Sequence, residues 1–123
     1  MTHETLYALA HAAGLAAAQR MNPTPMVVAE HVSPLDDSSP IQRAYYVPDG
    51  VCGFAWIVIK PGTCSFARWL VKNGHAKRHY YGGVSVWVGD FNQSLERKEA
   101  YATAFANALR LNGVKAHADS RMD

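Results

Sequence analysis

Apolar residues recur along this chain with two different periods, and the places where one period gives way to the other mark its elements. Over residues 3–20, Leu6, Leu9, Ala13, Ala17 and Met21 return near the helical period, which predicts a helix with Thr2 as its N-cap. The face is mostly alanine, and small side chains let a helix lie close to a sheet or to a symmetry partner. Gly14, which costs about 1 kcal/mol relative to alanine inside a helix, marks a close crossing. The helix ends at Asn22-Pro23, because the residue before a proline avoids the helical basin. Met26–His31, rich in β-branched residues, reads as a strand. The turn formers of Ser33–Pro40 read as a surface loop. Ile41–Val47 reads as a further strand, broken at Pro48-Asp49-Gly50.

Val51–Lys60 is apolar on both faces, the pattern of a central strand covered on each side, and it stops at Pro61-Gly62. Thr63 or Ser65 then caps a short helix reaching Asn73. Phe66, Trp69 and Leu70 form its inner face, Arg68 and Lys72 its outer face, and Gly74 takes the left-handed position after its end. A polar, aromatic stretch, His75–Gly83, leads into Val84–Gly89, where Val84, Val86 and Val88 alternate with Ser85 and Trp87. Asn92 or Ser94 caps the longest helix, which runs through Asn112 to a stop at Gly113 and buries Leu95, Ala102, Phe105 and Leu109. Val114–Asp119 is a final short strand. The order α-β-(β)-β-α-β-α-β predicts an α+β fold, a single mixed sheet packed by about three helices, in one domain over residues 1–123. The pattern does not decide whether the helices take one face or both.

Composition agrees with a packed interior. The chain is 49% hydrophobic and 18% charged, with three Trp, six Tyr and four Phe, which argues against disorder. Its longest apolar stretches are too short, or too interrupted by His11, Gly14 and Gly53, to span a bilayer. The N-terminus lacks the basic start and small-residue cleavage site of an export signal, so a cytoplasmic protein is expected. There Cys52 and Cys64 stay as free thiols that pack. Two cysteines and scattered histidines miss every zinc spacing, and no metal or cofactor is assigned.

Charge adds a local feature. The net charge is only +2, which gives no strong nucleic-acid signal, yet residues 50–89 contain no Asp or Glu. That window holds Arg68, Lys72, His75, Lys77, Arg78, His79, Tyr80 and Tyr81, followed by Gly82-Gly83. Cations for an anion, flat rings for a nucleobase and a glycine backbone that approaches phosphate make these the candidate ligand-binding residues. The plain alternative is a solvated basic loop. A second candidate joins Arg121, from the final strand, to Asn92, Gln93, Ser94 and Arg97 at the start of the long helix, where unpaired N–H groups receive phosphate or carboxylate. Its plain alternative is an ordinary cap.

Catalytic pairings are weaker. His75 or His79 with Asp90, or Cys64 with a histidine, are the only nucleophile–base combinations in view, and no G-x-S-x-G, HExxH, P-loop or Rossmann glycine pattern accompanies them. No catalytic residue is assigned. His3, Tyr7 and His11 share one helix face, but the two histidines are two turns apart, too distant to hold one ion by themselves.

The run GVCGFAWIVIKPGTCSFARWLVKNG, then YYGGVSVWV, then FNQSLERKEAYATAFANALRLNGVKAHADSRMD resembles a family of small proteins common in tailed bacteriophages and prophages, without an established activity. HAAGLAAA and PTPMVV extend the likeness over nearly the whole chain. The resemblance implies a phage accessory protein acting in the host cytoplasm. In that setting the basic aromatic segment suggests a non-enzymatic protein that binds a small anionic or nucleotide-like ligand and sequesters a host defence signal. The alternatives are an antagonist docking on a host protein through Tyr80, Tyr81 and the Ser33–Pro40 loop, a virion or assembly component, and last a small hydrolase. The alanine-rich first helix also suggests a homo-oligomer.

Overall fold

The apolar run at the middle of the chain becomes strand β3 (Gly53–Ile59), and the rest of the molecule is arranged around it. The structure, a computed structural model, describes residues 1–31, 41–47, 50–89, 91 and 94–123. Among these residues the other strands are β1 (Met26–His31), β2 (Ile41–Val47), β4 (Lys77–Arg78), β5 (Val84–Trp87) and β6 (Ala116–Met122). The helices are α1 (His3–Arg20), α2 (Ser65–Lys72) and α3 (Leu95–Leu111). The four strands β4-β5-β3-β6 form one sheet in that order, and β1 pairs with β2 in a separate two-stranded ladder.

The α+β class with three helices agrees with the sequence expectation. The ladders, however, are all antiparallel among the described residues, where a mixed sheet was expected. Chain direction depends on how each crossover returns, which side-chain periodicity does not record.

Alternation along β3 separates two faces. Ala55, Ile57 and Ile59 belong to the core built with Phe66 and Leu70 of α2, Tyr101, Phe105 and Leu109 of α3, and Leu6 and Ala10 of α1. The helices therefore share one side of the sheet. Phe54, Trp56 and Val58 point to the other side, where the sequence pattern suggested a second cover. There the rings of Phe54 and Trp56 pack on Trp87 instead, at centroid distances of 5.5 and 5.7 Å.

Helix α1 packs along α3, and it does so on a different stripe from the expected one. Leu6, Ala10, Gly14 and Ala18 are buried, while Leu9 is exposed. An i, i+4 row of small residues brings the two helices close: a Cβ on Gly14 would lie 2.6 Å from the Tyr101 ring. The alanine-rich surface that suggested a homo-oligomer is thus largely used inside the fold. His11 Nδ1 and the Tyr101 hydroxyl, 2.5 Å apart, link the same pair of helices.

Helix ends follow local chemistry. The Thr2 side chain accepts from the Thr5 N–H at 3.0 Å, as expected. For α2 the cap is Cys64, between the two residues proposed; its Sγ accepts from the Ala67 N–H at 3.4 Å. Ser94 caps α3, accepting from the Arg97 N–H at 3.3 Å. Its partner candidate Asn92 lies outside the described residues, as do Gln93, Asp90, the Ser33–Pro40 loop and Pro48-Asp49 of the following turn. Because Ser94 is almost fully buried, Ser94→Ala is expected to destabilise the fold by about 1 kcal/mol. That change lowers the thermal midpoint by roughly 3–5 °C in a calorimetric scan.

The two cysteines are free, but they differ: Cys64 packs against the core, whereas Cys52 is exposed and does not serve as a packing residue. The last strand begins at Ala116 and continues to Met122, later than the expected Val114–Asp119, because it follows β3 back to Gly53.

Candidate functional site

The basic aromatic stretch contains a two-residue strand that its sequence concealed. Lys77 pairs with Ser85 and Arg78 with Val84, so β4 and β5 form a hairpin closed by residues 79–83. The His79 N–H donates to the Gly83 carbonyl at 2.9 Å, and the Gly82 N–H donates to the His79 carbonyl at 3.1 Å. Gly83 has φ +75°, and a Cβ there would collide with the Ile59 carbonyl. Glycine is required at this point by both conformation and space.

This hairpin faces α2 across a cleft of about 760 Å³. Arg68, Val71 and Lys72 line it from the helix, Arg78 from β4, His79, Tyr80, Gly82 and Gly83 from the turn, and Gly62 and Thr63 from the loop before α2. The spacing explains the arrangement. Arg68 and Lys72 are one helical turn apart on the face opposite Phe66 and Leu70, and burying that apolar pair turns both cations outward. Arg78 shares the face of Val84, the helix side of the sheet, and so points toward α2.

Among the described residues no carboxylate lines the cleft. Three cations in an acid-free depression raise the local positive potential and favour an anion. The exposed Thr63 hydroxyl and the turn add neutral polar groups. Tyr80 is 90% exposed at the rim and meets Tyr81 edge to face, with ring centroids 4.9 Å apart. Thr63 and Gly62 were not among the candidates; a loop that approaches from another part of the sheet leaves no signal in the spacing. Gly62 sits backbone to backbone against Gly83, where a Cβ would lie 3.2 Å from the Gly83 Cα.

Not every candidate converges here. Lys77 shares the face of Ser85, on the side of the sheet away from the helices, so alternation removes it from the cleft. Tyr81 does not line the cleft and meets it through the rings of His79 and Tyr80, at centroid distances of 6.1 and 4.9 Å. Arg121 pairs with Phe54, five residues along β3 from the Ile59 that adjoins the hairpin, a separation of roughly 17 Å. Its guanidinium lies over the Phe54 ring at 5.3 Å, beside the Trp56–Trp87 stack. Arg97 instead donates to the Ala18 carbonyl at 3.1 Å, tying α3 to α1.

The catalytic pairings do not assemble among the described residues. Cys64 is occupied as a helix cap, and the His75 ring stacks on Tyr7 at 4.1 Å. His3 and Tyr7 likewise join Phe66 and Trp69 in an aromatic cluster. Among the described residues no group of three or more His, Cys, Asp or Glu side chains is placed to hold a metal, and no helix is long and apolar enough to cross a membrane.

Fold and site together define a two-layer α+β protein with a basic cleft at one end of its sheet. No family model, curated protein or solved structure matches the chain.

Proposed function

We propose that this protein is a non-enzymatic binder of a small anionic, nucleotide-like ligand, which it holds in the cleft between α2 and the β4–β5 hairpin. The observation that carries the reading is the convergence of Arg68, Lys72 and Arg78, from two separate elements, on a cleft that no carboxylate lines among the described residues. The guanidinium groups supply paired N–H donors for phosphate oxygens and Lys72 a point charge. Tyr80 presents an open ring face for a base. In a phage, such a site serves to remove a nucleotide-derived defence signal from the host cytoplasm by stoichiometric capture.

Titration calorimetry with ATP and with tripolyphosphate tests the charge and ring contributions separately. Both anions are expected to bind at low ionic strength and to weaken as salt rises. Tyr80→Ala is expected to lower the affinity for ATP about fivefold or more, leaving tripolyphosphate nearly unchanged. Absence of binding heat with both probes sinks the reading.

A second reading draws on the rim alone. Tyr80 and Tyr81 stand 90% and 78% exposed, as an aromatic pair that suits the centre of a protein interface. On that reading the protein antagonises a host factor. Tyr80→Ala/Tyr81→Ala then abolishes co-purification with that factor while Arg68→Ala does not.

A further inference from the structure

Strand β6 is one edge of the four-stranded sheet, paired to β3 on one side and, among the described residues, to no strand on the other. Backbone alternation determines which of its groups are available. The Asp123 N–H donates to the Cys52 carbonyl, and the Lys115 carbonyl accepts from the Lys60 N–H. Odd-numbered residues thus turn their N–H and C=O groups toward β3, and Ala116, Ala118, Ser120 and Met122 turn theirs outward. One outward carbonyl is already used: the Arg110 guanidinium donates to that of Ala116 at 2.7 Å. The Ser120 N–H is held only by the adjacent Asp119 carboxylate, at 2.8 Å. The stretch open to a new strand is Ala118–Met122.

A second copy of β6, antiparallel about a two-fold axis normal to the sheet, pairs only residues of equal parity, since a one-residue slip opposes side chains from different faces. The charges then choose the axis. His117, Asp119 and Arg121 lie on the face away from the helices, and Asp123 continues the alternation. An axis at Asp119 opposes two aspartates and sets His117 against the partner's Arg121. An axis at Arg121 opposes two arginines. An axis at Ala118 sets Lys115 against the partner's Arg121 and needs the Ala116 carbonyl that Arg110 occupies. An axis at Ser120 places Arg121 opposite the partner's Asp119 and His117 opposite the partner's Asp123, with no like charges paired along the strands. It uses the outward groups of Ala118, Ser120 and Met122 and leaves out Ala116. On the helix face, Ser120 Oγ donates to Glu99 at 2.8 Å, so the two Glu99 carboxylates are the one like-charged pair brought near the axis.

We propose that the chain forms a two-fold dimer through β6, in the antiparallel register centred on Ser120, joining two four-stranded sheets into one continuous sheet. About six inter-subunit N–H···O bonds form the ladder. The Arg121–Asp119 pairs occupy its non-hydrogen-bonded positions, where opposed side chains are closest. The interface leaves the basic cleft free, because the cleft lies on the other side of β3.

Sedimentation equilibrium of the full chain at low ionic strength and about 100 µM tests this, a concentration at which a micromolar Kd leaves most chains paired. The wild-type chain is expected to be dimeric. Asp119→Arg and Arg121→Asp, both at exposed positions, are each expected to weaken the dimer about tenfold or more by opposing like charges. An equimolar mixture of the two variants is expected to restore dimers, since one then carries arginine at both positions and the other aspartate at both. Melting curves matching the wild-type monomer transition check that each variant is folded. A monomeric wild-type chain, a single variant as dimeric as wild type, or a mixture that stays monomeric overturns the proposal.

Discussion

Replacing Arg68 and Arg78 together by alanine is expected to lower the affinity for ATP by about 100-fold or more, with the fold intact. Each guanidinium contributes charge-assisted bonds to phosphate in a cleft where, among the described residues, no carboxylate competes for it. Each single variant is therefore expected to lose about tenfold. Both side chains are exposed and neither is part of the core, so the thermal midpoint should stay within about 2 °C of wild type. Titration calorimetry beside a melting scan measures both quantities on one preparation. Arg68→Lys and Arg78→Lys refine the result: retained charge without the planar fork should recover only part of the affinity if phosphate is gripped by paired donors. Wild-type affinity in the double alanine variant removes the cleft from consideration and leaves the aromatic rim as the remaining candidate.

Phe105→Ala is expected to destabilise the fold by about 3–5 kcal/mol, the largest single effect on stability. Phe105 has no exposed surface and stands where α3 meets the sheet. Its ring is 5.9 Å from that of Tyr7 and 5.7 Å from that of Tyr101, so it also anchors the aromatic cluster between α1 and α3. Truncation removes apolar area and leaves a cavity that two packed helices cannot close without moving apart. For a domain whose total stability is on the order of 5–15 kcal/mol, this is about a fifth of it or more. In urea the midpoint should fall with the slope unchanged. A loss under about 1 kcal/mol would mean that α1 and α3 can close onto the vacated space.

Several elements were legible because their causes are local. Thr2, Ser94, Gly74 and Gly113 mark helix boundaries through the dihedrals and hydrogen bonds of a few neighbouring residues. β-Branched composition and the turn formers that bound them placed Met26–His31 and Ile41–Val47 as strands, and the helical period placed Leu95, Ala102, Phe105 and Leu109 as a buried stripe. The stripe of α1 was misread because alanine on every side blurs the period; only the shape of α3 opposite decides that Ala10, Gly14 and Ala18 are inside. Strand β4 escaped for a related reason. Two residues carry no period, and Lys77-Arg78 becomes a strand only because β5 offers it an edge.

The sequence by itself determined that the middle of the chain is basic and acid-free, where α1 begins, where α2 and α3 end, and which residues form the buried stripe of α3. These properties reside in single residues and in separations of a few positions. Tertiary structure alone decided that Arg68, Lys72 and Arg78 meet across one cleft while Lys77 and Arg121 leave it. The physical reason is alternation on a sheet whose strand order is β4-β5-β3-β6. Which face a cation takes, and which strand lies beside it, depends on a pairing register between distant segments, and that register is chosen by the packing of the whole core.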